Sequence, residues 1–365
     1  MRRNFLVKIL TVLLLLVTVS ASALQEKKHE ESGSKKERKQ EIKEFIKHHL
    51  KDSHDFGITS YTADNGKKKH VGFSLPVILW DEGLHVFSSS KFHHETTVAE
   101  NKGNYYKIYH GLVFKTDSKG TITYDEKHHP TNVKPLDLSI TKSVVMIIIT
   151  ALLMFFLFTN LAKSYGKNGG IATGAGRFFE PIILYIRDDI AIPNIGEKNH
   201  GKYMSFLLTI FFFIWFLNIF GLTPLGVNVT GNIAITFSLA LLTFLITTFT
   251  AKKDYWKHIF WMPGVPVPMK IVLAPIELLG VIIKPFSLLI RLYANMQAGH
   301  IVLMSLVGLI FVFKSWLGGT MSFFLAFSIS LIEVLVALLQ AYIFTMLSAL
   351  YFGFASEEHE HDEAH

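Results

Sequence analysis

The chain of 365 residues contains no cysteine, so neither a disulfide nor a thiolate metal site can stabilise any part of it. Charged residues are scarce, at 18% of the chain, whereas apolar residues make up half of it and include 31 phenylalanines. This composition is too apolar for a soluble protein of this size. It therefore predicts an integral membrane protein and excludes thiol redox chemistry.

The net charge of +7 would suggest nucleic-acid binding in a soluble chain. Here the lysines and arginines lie in the extramembrane parts and beside the hydrophobic runs, where basic residues set membrane topology. We therefore interpret them as topology signals and expect no nucleic-acid partner.

The first 23 residues have the pattern of a secretory signal. Arg2, Arg3 and Lys8 accompany a short apolar core, and the small residues Ala21, Ser22 and Ala23 follow it. Residues 1–23 are predicted to form a cleavable signal peptide, and an uncleaved anchor is the alternative. In either case the residues that follow lie outside the cytoplasm.

Residues 24–137 are predicted to form an extracytoplasmic extension of mixed α and β structure. Within "EIKEFIKHHLKD", apolar residues at helical spacing indicate one short amphipathic helix. From about residue 57 to 130 the pattern changes to aromatic and β-branched alternation, as in "GFSLPVILW" and "YYKIYHGLVFKT". Such alternation is typical of strands, so this part is expected to be β-rich.

Five hydrophobic segments follow, each long enough to cross about 30 Å of hydrocarbon. They cover residues 143–162, 203–222, 231–251, 267–313 and 319–354. As unbroken helices the last two would be about 70 and 50 Å long, so they must be tilted, kinked or broken, with Pro275 and Pro285 as candidate bends. The predicted fold is an all-α polytopic membrane protein with five spans, the last two long, tilted and antiparallel, and a small α+β N-terminal region.

Basic residues predict which loops face the cytoplasm. They follow the first and third segments, at Lys163, Lys167, Arg177, Arg187, Lys252, Lys253 and Lys257. Both loops should therefore be cytoplasmic, which places the mature N-terminus outside and the acidic tail 358–365 inside. The segment "GRFFEPIILYIRDDIA" is too short and charged to span, and is predicted to be an interfacial helix on the cytoplasmic side.

A permanent cation, Arg291, lies in the middle of the fourth segment. Glu277, Lys284 and Arg291 are spaced by sevens, and Asn295 continues the same helical stripe. Lys284 can snorkel towards the interface. Arg291 is about 20 residues, or about 30 Å of helix, from either of the anchor-like lysines Lys270 and Lys314, and it stays charged. A charge at that depth is costly, so we expect a functional role and a carboxylate partner from another subunit.

His300 lies on the opposite side of the same helix, about 180° from Arg291. Glu333 and Gln340, seven residues apart on the last segment, form a stripe that can face it. An imidazole titrates near neutrality and a carboxyl can shift towards that range, so His300 and Glu333 could pass protons. A buried structural hydrogen-bonded pair is the alternative interpretation.

Two other classes of protein use intramembrane charges. In a proton-coupled secondary transporter, Arg291 would bind an anionic substrate, but no internal repeat is visible. An intramembrane hydrolase with a catalytic zinc would need three ligands, and only His300 and Glu333 are available at depth.

Metal binding by histidines outside the membrane remains an open alternative. These are His93, His94, His128 and His129, together with His359, His361 and His365 in the tail.

The stretch "KPFSLLIRLYANMQAGH", with an arginine, an asparagine four residues on and a small-residue step before a polar residue, resembles the a subunit of the F-type ATP synthase membrane sector. "IEVLVALLQAYIFTMLSALYF" has that family's spacing of Glu333 and Gln340. "NIFGLTP" and "TGNIAIT" are weaker matches. The resemblance covers about residues 143–357, which implies a subunit a membrane domain over 138–357 and nothing for the extension.

The resemblance implies a non-catalytic, proton-conducting stator subunit without a cofactor, in a bacterial inner membrane. Its partners would be the ring of c subunits, the b subunits of the peripheral stalk, the F1 sector and membrane lipid. The proton-translocating residues would be Arg291, Asn295, His300, Glu333 and Gln340, with Glu277 and Ser287 in a cytoplasmic half-channel. The sequence leaves open whether the ion is H⁺ or Na⁺, because the ion-binding carboxylate belongs to the ring.

Overall fold

The structure is a computed structural model. It describes residues 46, 50–62, 68–93, 96–167, 169, 173–174, 176–223, 227–262, 265–312 and 316–356. The predicted signal peptide 1–23, most of the predicted short helix near residue 45 and the acidic tail 358–365 lie outside these residues.

The N-terminal region contains the predicted strands. They are β1 (Asp55–Thr62), β2 (Lys68–Ser74), β3 (Pro76–Trp80), β4 (Leu84–Ser88), β5 (Ala99–Asn101), β6 (Asn104–Tyr109), β7 (Leu112–Thr116) and β8 (Leu136–Asp137). They form three small antiparallel sheets, with strand orders β1-β2, β4-β3-β8 and β5-β6-β7. The prediction of a small strand-containing N-terminal region is therefore confirmed.

Alternation along these strands builds one small core. Successive side chains of a strand point to opposite faces, so every second residue can be buried. The buried set is Val77, Leu79, Phe87, Phe92, Ala99, Tyr106, Ile108 and Val113. Most charged and polar residues of the region lie outside this core, but His54, Asp81, His85 and Ser89 are buried.

Among these buried polar residues, Asp81 has a carboxylate that is held by two donors. Lys115 Nζ lies 2.9 Å from Asp81 Oδ2, and Tyr106 donates its hydroxyl to the same oxygen at 3.0 Å. Burial raises the pKa of Asp81, but the hydrogen bonds from Lys115 and Tyr106 and the lysine charge outweigh it, so the pKa lies below its ordinary value of 3.8. Burial, followed by the bond to Asp81, raises the pKa of Tyr106 to about 12.

Replacing this carboxylate should loosen the region. Because a hydrogen bond to a charged group contributes about 1.5–3 kcal/mol, we expect Asp81→Asn to destabilise β3 and β4 by about 3 kcal/mol at pH 7. The measurement is amide hydrogen exchange of residues 76–88 in the full-length chain, with the exposed Glu126→Gln as control.

The pH dependence has a defined sign. A carboxylate whose pKa is lowered by folding stabilises the fold above its unfolded pKa, and this contribution is lost as the pH falls through its lower folded pKa. The difference in stability between wild type and Asp81→Asn should therefore be complete above about pH 4, the unfolded pKa, and should be lost as the pH falls from there through the lower folded pKa. A difference that persisted in strong acid would contradict this assignment.

The N-terminal region is joined to the first long helix by several hydrogen bonds. Asp52 accepts from Thr141 Oγ1 at 2.9 Å and from the Ser143 backbone N–H at 3.1 Å, while Lys142 N–H donates to Ser53 O at 3.1 Å. A carboxylate at this position satisfies free N–H groups of the first turn and complements the helix dipole. The start of the helix is thus held against the domain.

The remainder of the described chain is helical. The helices are α1 (Lys142–Lys167), α2 (Gly176–Tyr185), α3 (Ile192–Ile195), α4 (His200–Gly221), α5 (Ile233–Thr250), α6 (Lys253–Phe260), α7 (Val267–Val312) and α8 (Trp316–Ser356), with a π-helical segment (Ile186–Ala191) between α2 and α3. Five of them, α1, α4, α5, α7 and α8, are long and apolar enough to cross a membrane. The prediction of five spans with the last two the longest is confirmed.

The segment predicted as an interfacial helix is α2 with the π-helical segment. Its Ile186, Ile190 and Ala191 are completely buried, within a core cluster that also contains Phe212 of α4 and Phe344 of α8. This part of the segment is therefore packed among other helices, which its short, charged sequence did not indicate. Its position relative to the bilayer remains a prediction.

Helix α4 forms the centre of the helical part. It is apolar on all sides, as expected of a helix surrounded by protein. In the most apolar 18-residue stretch of α4 half of the residues are buried, compared with 28% or less in the corresponding stretch of each of the other four long helices. Leu207, Phe212 and Ile214 are inaccessible and belong to the same core cluster. This cluster fixes the rotation of the helices that carry the polar residues.

Candidate functional site

Helix α7 is one continuous helix of 46 residues that contains both Pro275 and Pro285. Its Leu288, Leu292 and Met296, spaced by four, are buried in the core cluster. Such spacing forms one face of a helix, and this face packs in the same cluster as residues of α8. The packing therefore decides which way the remaining side chains of α7 point.

Arg291 lies at the edge of this packed face. On helical geometry it is about 60° from the buried Leu288 on one side and about 100° from the exposed Ile290 on the other. Arg291 itself is half-buried, and its guanidinium is within electrostatic range of the Tyr351 hydroxyl on α8. The cation is thus accessible from the uncovered side of α7.

Among the described residues no carboxylate forms an ion pair with Arg291; the ion pairs found there involve other cations. A buried charge without a counter-charge is unfavourable in a membrane. The expectation that its partner comes from another subunit is therefore consistent with the structure of this chain, and stays a prediction.

Lys284 and Glu277, on the same stripe, have different surroundings. The Lys284 ammonium lies 5.8 Å from the ring centre of Tyr351 and 5.3 Å from that of Phe354, which is cation–π geometry. Glu277 is half-buried near Tyr255 of α6, where burial and then the Glu277 charge raise the pKa of the Tyr255 hydroxyl. The stripe therefore faces α6 and the C-terminal part of α8.

A cavity opens beside this stripe. Its polar lining includes Thr243, Thr247, Tyr255, Lys284 and Tyr351. The two threonine hydroxyls donate to carbonyls of their own helix, so they give a small, polar surface without requiring a partner across the cavity. Neither Glu277 nor Ser287 lines this cavity, and Ser287 is exposed.

Glu333 of α8 is buried against Gly299 of α7. A methyl group added at Gly299 would lie 2.8 Å from Glu333 Oε1 and 3.4 Å from its carboxyl carbon, so only glycine leaves room for the carboxylate. Neither carboxylate oxygen has a hydrogen-bond partner among the described residues. A buried carboxyl without partners is costly when ionised, and such groups are concentrated at functional sites.

The other predicted residues of α7 and α8 differ in burial. His300, next to Gly299, is buried, and so is Gln340, whereas Asn295 is exposed. The structure thus brings Glu333 against α7 one residue before His300, but no hydrogen bond joins Glu333 to the imidazole. The predicted His300–Glu333 pair therefore remains a prediction.

Two asparagines near these helices, the buried Asn218 and the half-buried Asn228, were not singled out from the sequence. Asn218 of α4 donates to Ala337 O of α8 at 3.4 Å and accepts from Thr230 at 2.6 Å. Asn228 donates to Met296 O of α7 at 3.3 Å. The sequence did contain a signal for both. Asn218 begins the stretch "NIFGLTP", and Asn228 lies two residues before "TGNIAIT". Both stretches are weaker matches to the family that the sequence resembles.

No group of three or more histidine, aspartate or glutamate side chains that could hold a metal ion occurs in the described part of the chain. The described residues therefore give no support to the alternative of a zinc-dependent hydrolase. The tail histidines lie outside that part.

Comparison with known proteins divides the chain into two matched regions. The family model described as "ATP synthase A chain" matches residues 144–353, and a domain of unknown function (DUF8433) matches residues 45–138. The first match contains all five spanning helices as far as residue 353, with Arg291, Glu333 and Gln340. The second coincides with the strand-containing region.

Several curated relatives are similar over most of their length. "ATP synthase subunit a" of Chloroherpeton thalassium is 43% identical over 237 residues, 63% of this chain and 70% of the relative. "ATP synthase subunit a 2" of Chlorobaculum tepidum is 41% identical over 251 residues, 66% and 70% of the two chains. "ATP synthase subunit a" of Myxococcus xanthus is 42% identical over 238 residues, 62% and 77%.

The family model covers more than half of the chain, and the relatives share the same description. The matched family is the one that the motifs in the sequence resemble. This multi-pass membrane protein belongs to the ATP synthase A chain family, the stator subunit a of the ATP synthase.

Proposed function

We propose that this subunit provides two offset half-channels that carry protons to and from carboxylates on a ring of c subunits, with Arg291 as the electrostatic barrier between them. The observation that carries the proposal is the position of Arg291, a permanent cation at the edge of the packed face of α7 with no carboxylate partner among the described residues. A ring carboxylate passing the uncovered side of α7 would be its counter-charge.

Coupling follows from the energetics of a carboxyl group in lipid. A protonated carboxyl is neutral and can enter hydrocarbon, whereas the ionised form is stable only opposite Arg291 or in water. A ring carboxylate that has lost its proton at Arg291 must therefore take up another before it moves on. Arg291 also repels protons from a direct path between the half-channels.

The inlet would use Asn295, His300, Glu333 and Gln340. Glu333 is suited to a proton relay because its carboxyl is buried without fixed hydrogen bonds, so neither protonation state is held by a particular donor. The buried His300 and Gln340 lie on the same pair of helices. We infer that protons reach the ring from the extracytoplasmic side through this group.

The outlet would lie towards the cytoplasm, past Glu277 and Ser287. A cavity with a partly polar lining lies beside Lys284 at this end of α7, although Glu277 and Ser287 do not line it. In this orientation the N-terminal region is periplasmic and the C-terminus cytoplasmic, and the chain would contact the c-ring, the b subunits and, through the complex, the F1 sector. Basic residues after the first and third spans support the orientation.

The role of Glu333 can be tested at Gly299. Gly299→Ala would leave the helix intact but would push the flexible end of Glu333 from its position. Because a small misplacement of a reacting group can reduce a rate strongly, we expect proton-driven ATP synthesis to fall about tenfold while the complex still assembles. The measurement is ATP synthesis and proton uptake in inverted membrane vesicles.

Gly280→Ala is the matched control on the same helix, since a methyl group there meets nothing within 4 Å in this chain. It should keep rates near those of the wild type. If Gly299→Ala also conducted protons at the wild-type rate, the place occupied by Glu333 would not lie on the proton path.

A further inference from the structure

The three-stranded sheet β4-β3-β8 of the N-terminal region has a second apolar face, on the side opposite the core. Register pairs Ile78 with Val86, and Trp80 with both Leu84 and Leu136, which places these side chains on one side of the sheet. Leu138 continues this side, since its N–H donates to Ile78 O at 2.9 Å. We call these six residues the outer face.

The outer face is uncovered among the described residues. Trp80, Leu84, Val86, Leu136 and Leu138 are each between 49% and 61% exposed, while Val77, Leu79 and Phe87 on the opposite side are buried. A half-buried antiparallel sheet normally alternates apolar residues with polar ones. A contiguous exposed group of large apolar side chains marks a surface that another apolar phase covers.

The position of the outer face in the chain favours one such phase. Leu138 precedes Lys142, the first residue of α1, by only four residues, so at most about 14 Å of chain separate the two. The connection is not slack, because Ile140 N–H donates to Pro76 O at 3.2 Å and Asp52 holds Thr141 and Ser143. The sheet is therefore held at the level where α1 leaves the membrane.

The chemistry of the face agrees with its location. Tryptophan is enriched at the membrane–water interface, where its ring lies among headgroups. Lys102 donates to Leu84 O at 2.9 Å, which places an ammonium at the edge of the outer face. Apolar side chains bordered by a cation match a bilayer surface that contains anionic lipid.

We propose that the outer face of the N-terminal region inserts into the interfacial layer of the bilayer next to the start of α1. The region is then an anchor that rests on lipid and keeps the first spanning helix in position, a role separate from proton conduction. This inference requires only that α1 spans the membrane, so it stands or falls independently of the proposed half-channels.

The natural absence of cysteine makes a direct test available. Val86→Cys creates a single labelling site on the outer face, and Ser118→Cys creates one at an exposed turn away from it. Each full-length variant is labelled with a nitroxide and reconstituted in phosphatidylcholine vesicles containing phosphatidylglycerol. Electron paramagnetic resonance then gives two collision rates for each nitroxide label, one with oxygen, which concentrates in lipid, and one with a water-soluble nickel chelate. The quantity compared is the ratio of the first rate to the second.

We expect a ratio several-fold higher at position 86 than at position 118. Equal, water-like ratios would overturn the proposal because the face would be open to solvent. Low collision rates with both reagents and an immobilised spectrum at position 86 would also overturn it, since a protein segment or a second copy would then cover the face. Leu138→Cys provides a second site, so that the result does not depend on one variant folding correctly.

Discussion

Arg291→Ala should abolish proton-driven ATP synthesis while leaving the assembled complex intact. The side chain is half-buried at the edge of the packed face and forms no ion pair among the described residues, so its removal costs little packing. It does remove the counter-charge that an ionised ring carboxylate needs in lipid. Synthesis in vesicles driven by an imposed proton gradient should fall to the level of an uncoupled control.

Arg291→Lys should also fail to restore full coupling. A desolvated ammonium can lose its proton, and it lacks the planar fork with which arginine binds a carboxylate. Lys270→Ala is a suitable control, because it removes a cation from the end of the same helix, where the ammonium lies 4.5 Å from the Trp261 ring centre. Normal coupled synthesis in Arg291→Ala would show that the barrier role is assigned to the wrong residue.

Gly353→Ala should prevent the helical core from forming normally. A methyl group at Gly353 of α8 would overlap the backbone carbonyl oxygen of Asn194 and lie 3.0 Å from the carbonyl carbon. Backbone atoms cannot rotate away as a side chain can, so the helices must separate. Overpacking of this kind costs about 1–3 kcal/mol or more, and we expect the upper part of that range.

Residues of α8 on both sides of Gly353 contact other parts of the helical core, so separating the helices would break these contacts. Tyr203 stacks on Phe352 with ring centres 4.5 Å apart and hydrogen-bonds Ser356 at 3.0 Å, and Lys252 N–H donates to Ala355 O at 3.0 Å. A shift of α8 would break all three contacts. The amount of full-length chain in membranes and its thermal stability in detergent should both decrease.

Gly319→Ala on the same helix is the control, because an added methyl group there meets nothing within 4 Å. It should leave both quantities unchanged. Wild-type stability of Gly353→Ala would mean that α8 and the α3 segment are not in close contact in the folded protein.

Much of the architecture follows from local properties of the sequence. The length of each apolar run predicted five spans, and α7 ends one residue before the predicted limit. Alternation predicted the strands around "GFSLPVILW", and β3 and β4 indeed bury every second residue. These predictions succeed because span length and strand periodicity depend only on neighbouring residues.

Other features could not be obtained in this way. The short segment 186–191 is charged, yet its Ile186 and Ile190 are fully buried, because they belong to a core cluster that includes residues of α4 and α8. Asn218 is a single polar residue in an apolar run, and only the fold shows that it links α4 to α8. Asn218 and Ala337 are 119 positions apart, and no local pattern encodes a contact over that distance.

The sequence by itself determined that the chain spans a membrane and that Glu277, Lys284 and Arg291 share a stripe, and it predicted that Arg291 lies too far along its segment to snorkel to the interface. Fixed helical geometry and the cost of charge in hydrocarbon suffice for these conclusions. Only the tertiary structure decided that Glu333 lies against Gly299 and that the packed face through Leu288 leaves Arg291 at its edge. The rotation of a helix about its axis is set by the side chains of other helices, since many small packing contacts, rather than the helix's own pattern, select one orientation.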